Sequence, residues 1–203
     1  MVVPSPTRVP SSLGPRVVFL GTSLTAGLGL EGSEKDYVDV LDALADSAGL
    51  PMEAVNAGVS GETSAGGLRR LDWVLRDSLD VLFLELGAND GLRGQDPEAM
   101  RSNLVRIIEG TRTRYPDAEI VLAGMEAPPN LGVRYTESFR QVFRDVAEGH
   151  QVTLVPFLLD GVAGVPELNQ EDRIHPTEAG HEVVARTVWP YLSDVLRELE
   201  GTS

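Results

Sequence analysis

Cysteine is absent from the chain. Disulfides, zinc ribbons and thiol nucleophiles are thereby excluded. Lysine is almost absent too: Lys35 is the only one, beside sixteen arginines. There are three histidines, His150, His175 and His181, which leaves little material for a metal site. No apolar run approaches the ~20 residues of a membrane span. Positive charge is scarce overall, with 17 Lys and Arg against 31 Asp and Glu and a net charge of -14. Nucleic acid and anionic membranes both need a basic footprint, so neither is expected as a partner. Residues Met1 to Gly14 hold three prolines and three serines but no apolar core of a signal peptide. They read as a flexible extension, 1–14, ahead of a single domain, 15–203, and a cytoplasmic location is expected.

What is present is an alternation of short apolar runs and amphipathic stretches. Val17 to Leu20 and Val81 to Leu86 read as strands buried on both faces. Met52 to Val59, Glu119 to Met125 and Val152 to Phe157 supply three more. Between them, helical spacing appears in Asp36–Leu50, in Leu68, Leu71, Val74 and Leu75, behind Pro97, and at Phe139, Val142, Phe143 and Val146. A last helix is expected from about Thr177, with Val183, Val184 and Val188 inward and an interruption at Pro190. Strands and helices alternating five times predict an α/β fold, a three-layer α/β/α arrangement around a five-stranded parallel sheet in flavodoxin-like order. Two longer irregular stretches, Gly124 to Val133 and Leu158 to Ile174, are candidates for functional loops.

In such a sheet ligands bind beyond the carboxyl ends of the strands. The residues there form a coherent chemical set. Ser23 follows strand one in Gly21-Thr22-Ser23-Leu24, Gly61 follows strand two, Asn89 follows strand three, and Asp172-Arg173-Ile174-His175-Pro176 precedes the last helix. A serine hydroxyl becomes a nucleophile when a base takes its proton, and an imidazole does so best when a carboxylate fixes its tautomer. Asp172 and His175, three residues apart, can supply that pair. The Ser23 and Gly61 N–H groups and the Asn89 amide are candidate donors to an oxyanion. Taken singly, each feature has a plainer reading: turn and capping hydroxyls at 22–25, a surface turn or half a metal site at 172–175, a turn glycine at 61, an Asx turn at 89.

Together the blocks resemble the SGNH (GDSL-type) serine hydrolases, from Arg16 to near the end of the chain. Gly21 to Leu24, Asn56 to Gly61, Gly87-Ala88-Asn89-Asp90 and Asp172 to Pro176 carry the resemblance, in order and at familiar spacing. Ser60 to Ser64 and Gly87 to Gly94 are most similar to a small bacterial branch of arylesterases, acyl thioesterases and lysophospholipases. The resemblance implies that Ser23, Asp172 and His175 are the catalytic triad and that Ser23, Gly61 and Asn89 form the oxyanion hole. It further implies an acyl pocket flanked by 89–95 and 126–134, with Asp90, Leu92, Pro128 and Ile174 touching substrate. No metal or other cofactor is implied. The substrates implied are small carboxylic esters, aryl or short- to medium-chain, with thioesters and lysophospholipids in the same range. Thr22 departs from the family pattern, which usually has Asp there. Carbohydrate deacetylation is the rival within the same chemistry.

Two readings come from other classes. Gly27-Leu28-Gly29-Leu30-Glu31-Gly32 matches a G-x-G-x-x-G pattern, but it begins seven residues after Leu20 instead of at the strand end. A catalytically silent scaffold on the same fold is the other.

Overall fold

The structure is a computed structural model describing residues 14–33 and 35–201. The expected extension, except for Gly14, lies outside the described residues. Five parallel strands form one sheet: β1 (Arg16–Gly21), β2 (Glu53–Gly58), β3 (Val81–Glu85), β4 (Glu119–Ala123) and β5 (Thr153–Val155). Their spatial order is β2-β1-β3-β4-β5, the expected flavodoxin-like order. β1 has partners on both sides; Phe19, for example, stands opposite Asn56 of β2 and Phe83 of β3. That position explains its composition, since Val17, Val18, Phe19 and Leu20 are all buried.

Helices cover both faces. Helix α1 (Tyr37–Ser47) packs against α7 (Glu178–Gly201) on one, while α2 (Ser64–Arg69), α5 (Pro97–Arg114) and α6 (Val133–His150) pack on the other. Short helices α3 (Leu71–Val74) and α4 (Ala88–Leu92) complete the set. Local chemistry sets their starts. Asp36 caps α1 through the N–H groups of Val38 and Asp39, and Asp39 returns the bond to the Asp36 N–H. Asp96 caps α5 ahead of Pro97, whose missing N–H would be unpaired there anyway.

The structure corrects three expectations. The periodic stretch from Leu68 to Leu75 is two helices, broken at Arg70 (φ -102°, ψ 8°). Arg70 is held by Glu62, at 2.5 Å, and by the Ala57 carbonyl, at 2.7 Å, a pull toward the sheet. Pro190 does not interrupt the last helix, which runs unbroken to Gly201. An interior proline costs ~3 kcal/mol, and the turns beyond it offset that by burying Leu192, Val195 and Leu196. β5 stops at Val155 because Pro156 has no N–H to extend the ladder.

Candidate active site

β1 lies at the point where the chain turns first one way, to β2, and then the other, to β3. The crevice beyond that switch point is where a doubly wound sheet collects ligands. β1 ends at Gly21, and a Cβ there would fall 1.9 Å from Thr25 Oγ1. Only glycine lets the next turn fold back this tightly. The turn presents Ser23 at the crevice and closes through the Ala26 N–H to the Thr22 carbonyl and the Leu28 N–H to the Ser23 carbonyl.

Opposite Ser23 stands the 172–175 turn. Asp172 Oδ1 accepts from the backbone N–H groups of Ile174 (2.9 Å) and His175 (3.0 Å), and Oδ2 lies 2.6 Å from His175 Nδ1. These bonds, the imidazole's first, draw the Asp172 carboxyl down to about 2. It is therefore ionised and can only accept, so the proton between them belongs to Nδ1. In the neutral imidazole Nε2 then carries the lone pair, 2.9 Å from Ser23 Oγ. A base, its orienting carboxylate and a hydroxyl thus stand in line. Arg173 bridges the turn at φ 59°, a left-handed conformation unusual for a residue with a side chain. The loop is pinned by Gln170, which donates through Nε2 to the Leu28 and Pro176 carbonyls and through its backbone N–H to the His175 carbonyl.

The three candidate oxyanion donors line the same crevice as Ser23 Oγ and His175. Among the described residues neither the Ser23 nor the Gly61 N–H has an acceptor. Gly61 adopts φ 77°, which turns its peptide out of the path of β2. Asn89 sits in the first turn of α4, entered through Gly87 at φ 114°. Its Nδ2 gives one proton to the Glu62 carbonyl at 3.0 Å and retains a second for a ligand. The donors are also tied to one another: Arg93 bonds the Gly61 carbonyl, and Asp90 takes both the N–H (2.8 Å) and the hydroxyl (2.6 Å) of Ser64. This assembly fits the charge pattern of acyl transfer, an attacking oxygen beside a base and N–H groups gathered where negative charge would build.

The pattern of the GDSL-like lipase/acylhydrolase family matches residues 19–183. The chain belongs to that family. Among relatives of this GDSL-like acylhydrolase, the esterase TesA of Pseudomonas aeruginosa is 40% identical over 89% of both chains. The Escherichia coli K12 protein named thioesterase 1/protease 1/lysophospholipase L1 is 33% identical over 83% of this chain and 79% of its own. The crystal structure of the psychrotrophic esterase EstA from a Pseudoalteromonas species, inhibited by monoethylphosphonate, superposes with a TM-score of 0.83 at 32% identity, covering 90% of this chain and 99% of that one.

Beside Ser23 and His175 of this GDSL-like protein opens a cavity of about 730 Å³. Leu28, Leu92, Met125, Pro128, Phe157 and Ile174 give it apolar walls. Leu92, Pro128 and Ile174 therefore stand where substrate contact was expected. Asp90 does not. It is 1% exposed, lies outside the cavity lining and spends its carboxylate on Ser64, because helix α4 turns it inward beneath Asn89. The irregular stretch 158–174 contributes Leu159, Ala163 and Asn169. The glycines of 27–32 lie in a chain of turns, and the following helix begins only at Tyr37 with the Asp36 carboxylate over its N-terminus. An anionic cap occupies the place that a phosphate would need.

Sequence reading missed Glu85. Counted within an apolar strand, it is a fully buried carboxyl accepting from the Thr22 N–H at 2.7 Å and from the hydroxyls of Thr22 and Thr25. The signal was there: one acidic residue inside a run buried on both faces requires partners. Met125, Phe157 and Leu159 were missed for the opposite reason, since apolar residues past strand ends look like ordinary core.

Proposed function

We propose that this chain is a serine esterase that cleaves carboxylic esters through an acyl-enzyme, with Ser23 as nucleophile, His175 as general base and acid, and Asp172 orienting it. The observation that carries the proposal is the aligned series Asp172, His175 Nδ1, Nε2 and Ser23 Oγ, with contacts of 2.6 and 2.9 Å. His175 accepts the Ser23 proton as Oγ bonds the ester carbonyl carbon. The carbonyl oxygen takes up the electron pair and is held by the Ser23 and Gly61 N–H groups and Asn89 Nδ2. Collapse breaks the bond to the alcohol oxygen, which leaves with the proton from Nε2. Water then attacks the acyl-enzyme, gives its proton to His175, and the acid departs as Oγ recovers it.

Apolar walls favour hydrocarbon acyl groups or aryl alcohols over the polar rings of an acetylated carbohydrate. Thioesters and lysophospholipids fall within the same chemistry, and the E. coli relative carries both activities in its name. Among the described residues no helix is long and apolar enough to cross a membrane. Cytoplasmic residence belongs to this proposal, with cell fractionation as its check.

The deciding experiment is hydrolysis of p-nitrophenyl esters from acetate to palmitate, beside Ser23→Ala. Serine-dependent turnover with an optimum beyond acetate is the expected result. Activity confined to acetate would transfer the reading to deacetylation, and no activity above the variant would transfer it to a silent scaffold.

A further inference from the structure

We propose that Glu85 is a positioning residue for the nucleophile turn: as a carboxylate it clamps Thr22 and Thr25 so that the Ser23 N–H and Oγ are both aimed into the crevice, and as a neutral acid it loosens that clamp. The inference rests on the reading of Ser23 as nucleophile and adds a second ionisation to the site.

The geometry is specific. β3 ends at Glu85, directly beside the end of β1, and Gly21 stands opposite it in register. One carboxylate oxygen takes the Thr22 N–H at 2.7 Å and the Thr25 hydroxyl at 2.9 Å, and the Thr22 hydroxyl lies 3.0 Å from both oxygens. These contacts bracket Ser23, with Thr22 immediately before it and Thr25 two residues after. A carboxylate is an acceptor at every lone pair, whereas a carboxylic acid must place one proton and so meets a donor where it needs an acceptor. Thr22 and Thr25 can rotate their hydroxyls to receive it, but the Thr22 N–H cannot. Protonation thus reverses one hydroxyl contact and turns the remaining bonds from charge-assisted to neutral, which weakens the clamp.

The surroundings make that protonation accessible. Burial pushes the Glu85 carboxyl up to about 7, even against the hydrogen bonds that pull it down. From α1, Tyr37 faces the group through Thr25, its OH 2.7 Å from Thr25 Oγ1, and Asp36 lies behind it at the cap. From α7, His181 stacks on Tyr37 and is held neutral by burial, its pKa near 4. From the α2–α3 junction, Arg70 reaches the Gly21 carbonyl at 3.4 Å but is paired with Glu62. Among the described residues no cation pairs with Glu85. Its charge is therefore held by the threonines and two backbone N–H groups. The Thr at position 22 donates a hydroxyl proton to that charge; the Asp usual in the family would set a second carboxyl against it.

The test is the pH dependence of kcat for Glu85→Gln, with a fluorophosphonate probe on wild type to establish that Ser23 is the nucleophile. Two groups must lose a proton in the wild type, so the acid limb of log kcat approaches a slope of two; in folded Glu85→Gln the slope is one. At pH 8 the variant turns over about 10- to 100-fold more slowly, the scale of a misaimed nucleophile, with KM unchanged. Thr22→Val, which keeps the N–H and the volume, removes one hydrogen bond from the charge and moves the Glu85 step of the acid limb to higher pH. A folded Glu85→Gln with the wild-type profile overturns the inference, as does an acid limb that Thr22→Val does not move if Glu85→Gln fails to fold. Failure of the probe to label Ser23 would instead sink the esterase reading on which it rests.

Discussion

His175 Nε2 lies 2.9 Å from Ser23 Oγ, although 152 positions of sequence separate the two residues. That contact makes the first prediction. Ser23→Ala and His175→Ala each lower kcat by several decades while circular dichroism remains that of the wild type. The double variant is scarcely slower than either, because the two groups act as one unit. A fluorophosphonate probe labels the wild type once, at Ser23.

Asn89 gives one amide proton to the Glu62 carbonyl and retains the other. Asn89→Ala is expected to lower kcat by ~10² to 10³ with KM little changed, the scale of a lost oxyanion donor. Near-normal turnover would remove Asn89 from that role.

Asp90 braces the two loops that carry the Gly61 and Asn89 donors. Asp90→Ala leaves the buried Ser64 N–H without an acceptor and is expected to destabilise the fold by ~1.5 to 3 kcal/mol in a urea titration. At low temperature the folded variant shows a lowered kcat and an unchanged KM. A raised KM with normal kcat would mean that Asp90 touches substrate after all.

Ala163 is an exposed residue on the cavity wall. Ala163→Trp narrows the cavity without disturbing the core, so the chain-length optimum with p-nitrophenyl esters moves toward shorter acids while acetate hydrolysis persists. An unmoved optimum would place the acyl chain elsewhere.

Two buried groups give stability opposite pH dependences. Glu85 is raised from 4.5 to about 7, so the folded state holds its proton longer than the unfolded state does, and its contribution is full below 4.5 and lost as pH rises toward 7. His181 is lowered from 6.5 to about 4; its contribution is full above 6.5 and lost as pH falls toward 4. Each is on the order of 3 kcal/mol across its window, and the two largely cancel between pH 4.5 and 6.5. Thermal unfolding of the wild type is expected to vary little there. Glu85→Gln exposes the His181 slope, with stability rising as pH rises; a profile that stays flat in that variant would contradict the assignment.

The fold was legible because its signals are local and repeated. A run such as Val17 to Leu20 has few other places to go than the middle of a parallel sheet. The alignment of Asp172, His175 and Ser23 was legible because few residues compete for it: one of three histidines follows an aspartate at the right interval, past the fifth strand. What stayed hidden depended on direction. Asp90 and Asn89 are adjacent and equally polar, yet α4 sends one toward the crevice and the other into Ser64, and nothing in their identities says which. Pro190 was misread because a local rule, that proline ends a helix, was outweighed by tertiary burial that the rule does not contain. Glu85 needed both kinds of knowledge: that a buried acid requires partners, and that β3 delivers it beneath the turn of β1.

The packing of α7 against α1 bears on how this molecule is made. Ser23 leaves the ribosome well before His175 and stays without its imidazole contact until the 172–175 turn has emerged and α7 behind it can pack on α1. A nascent chain that holds Gly61 and Asn89 but not yet that turn has no imidazole against the Ser23 hydroxyl.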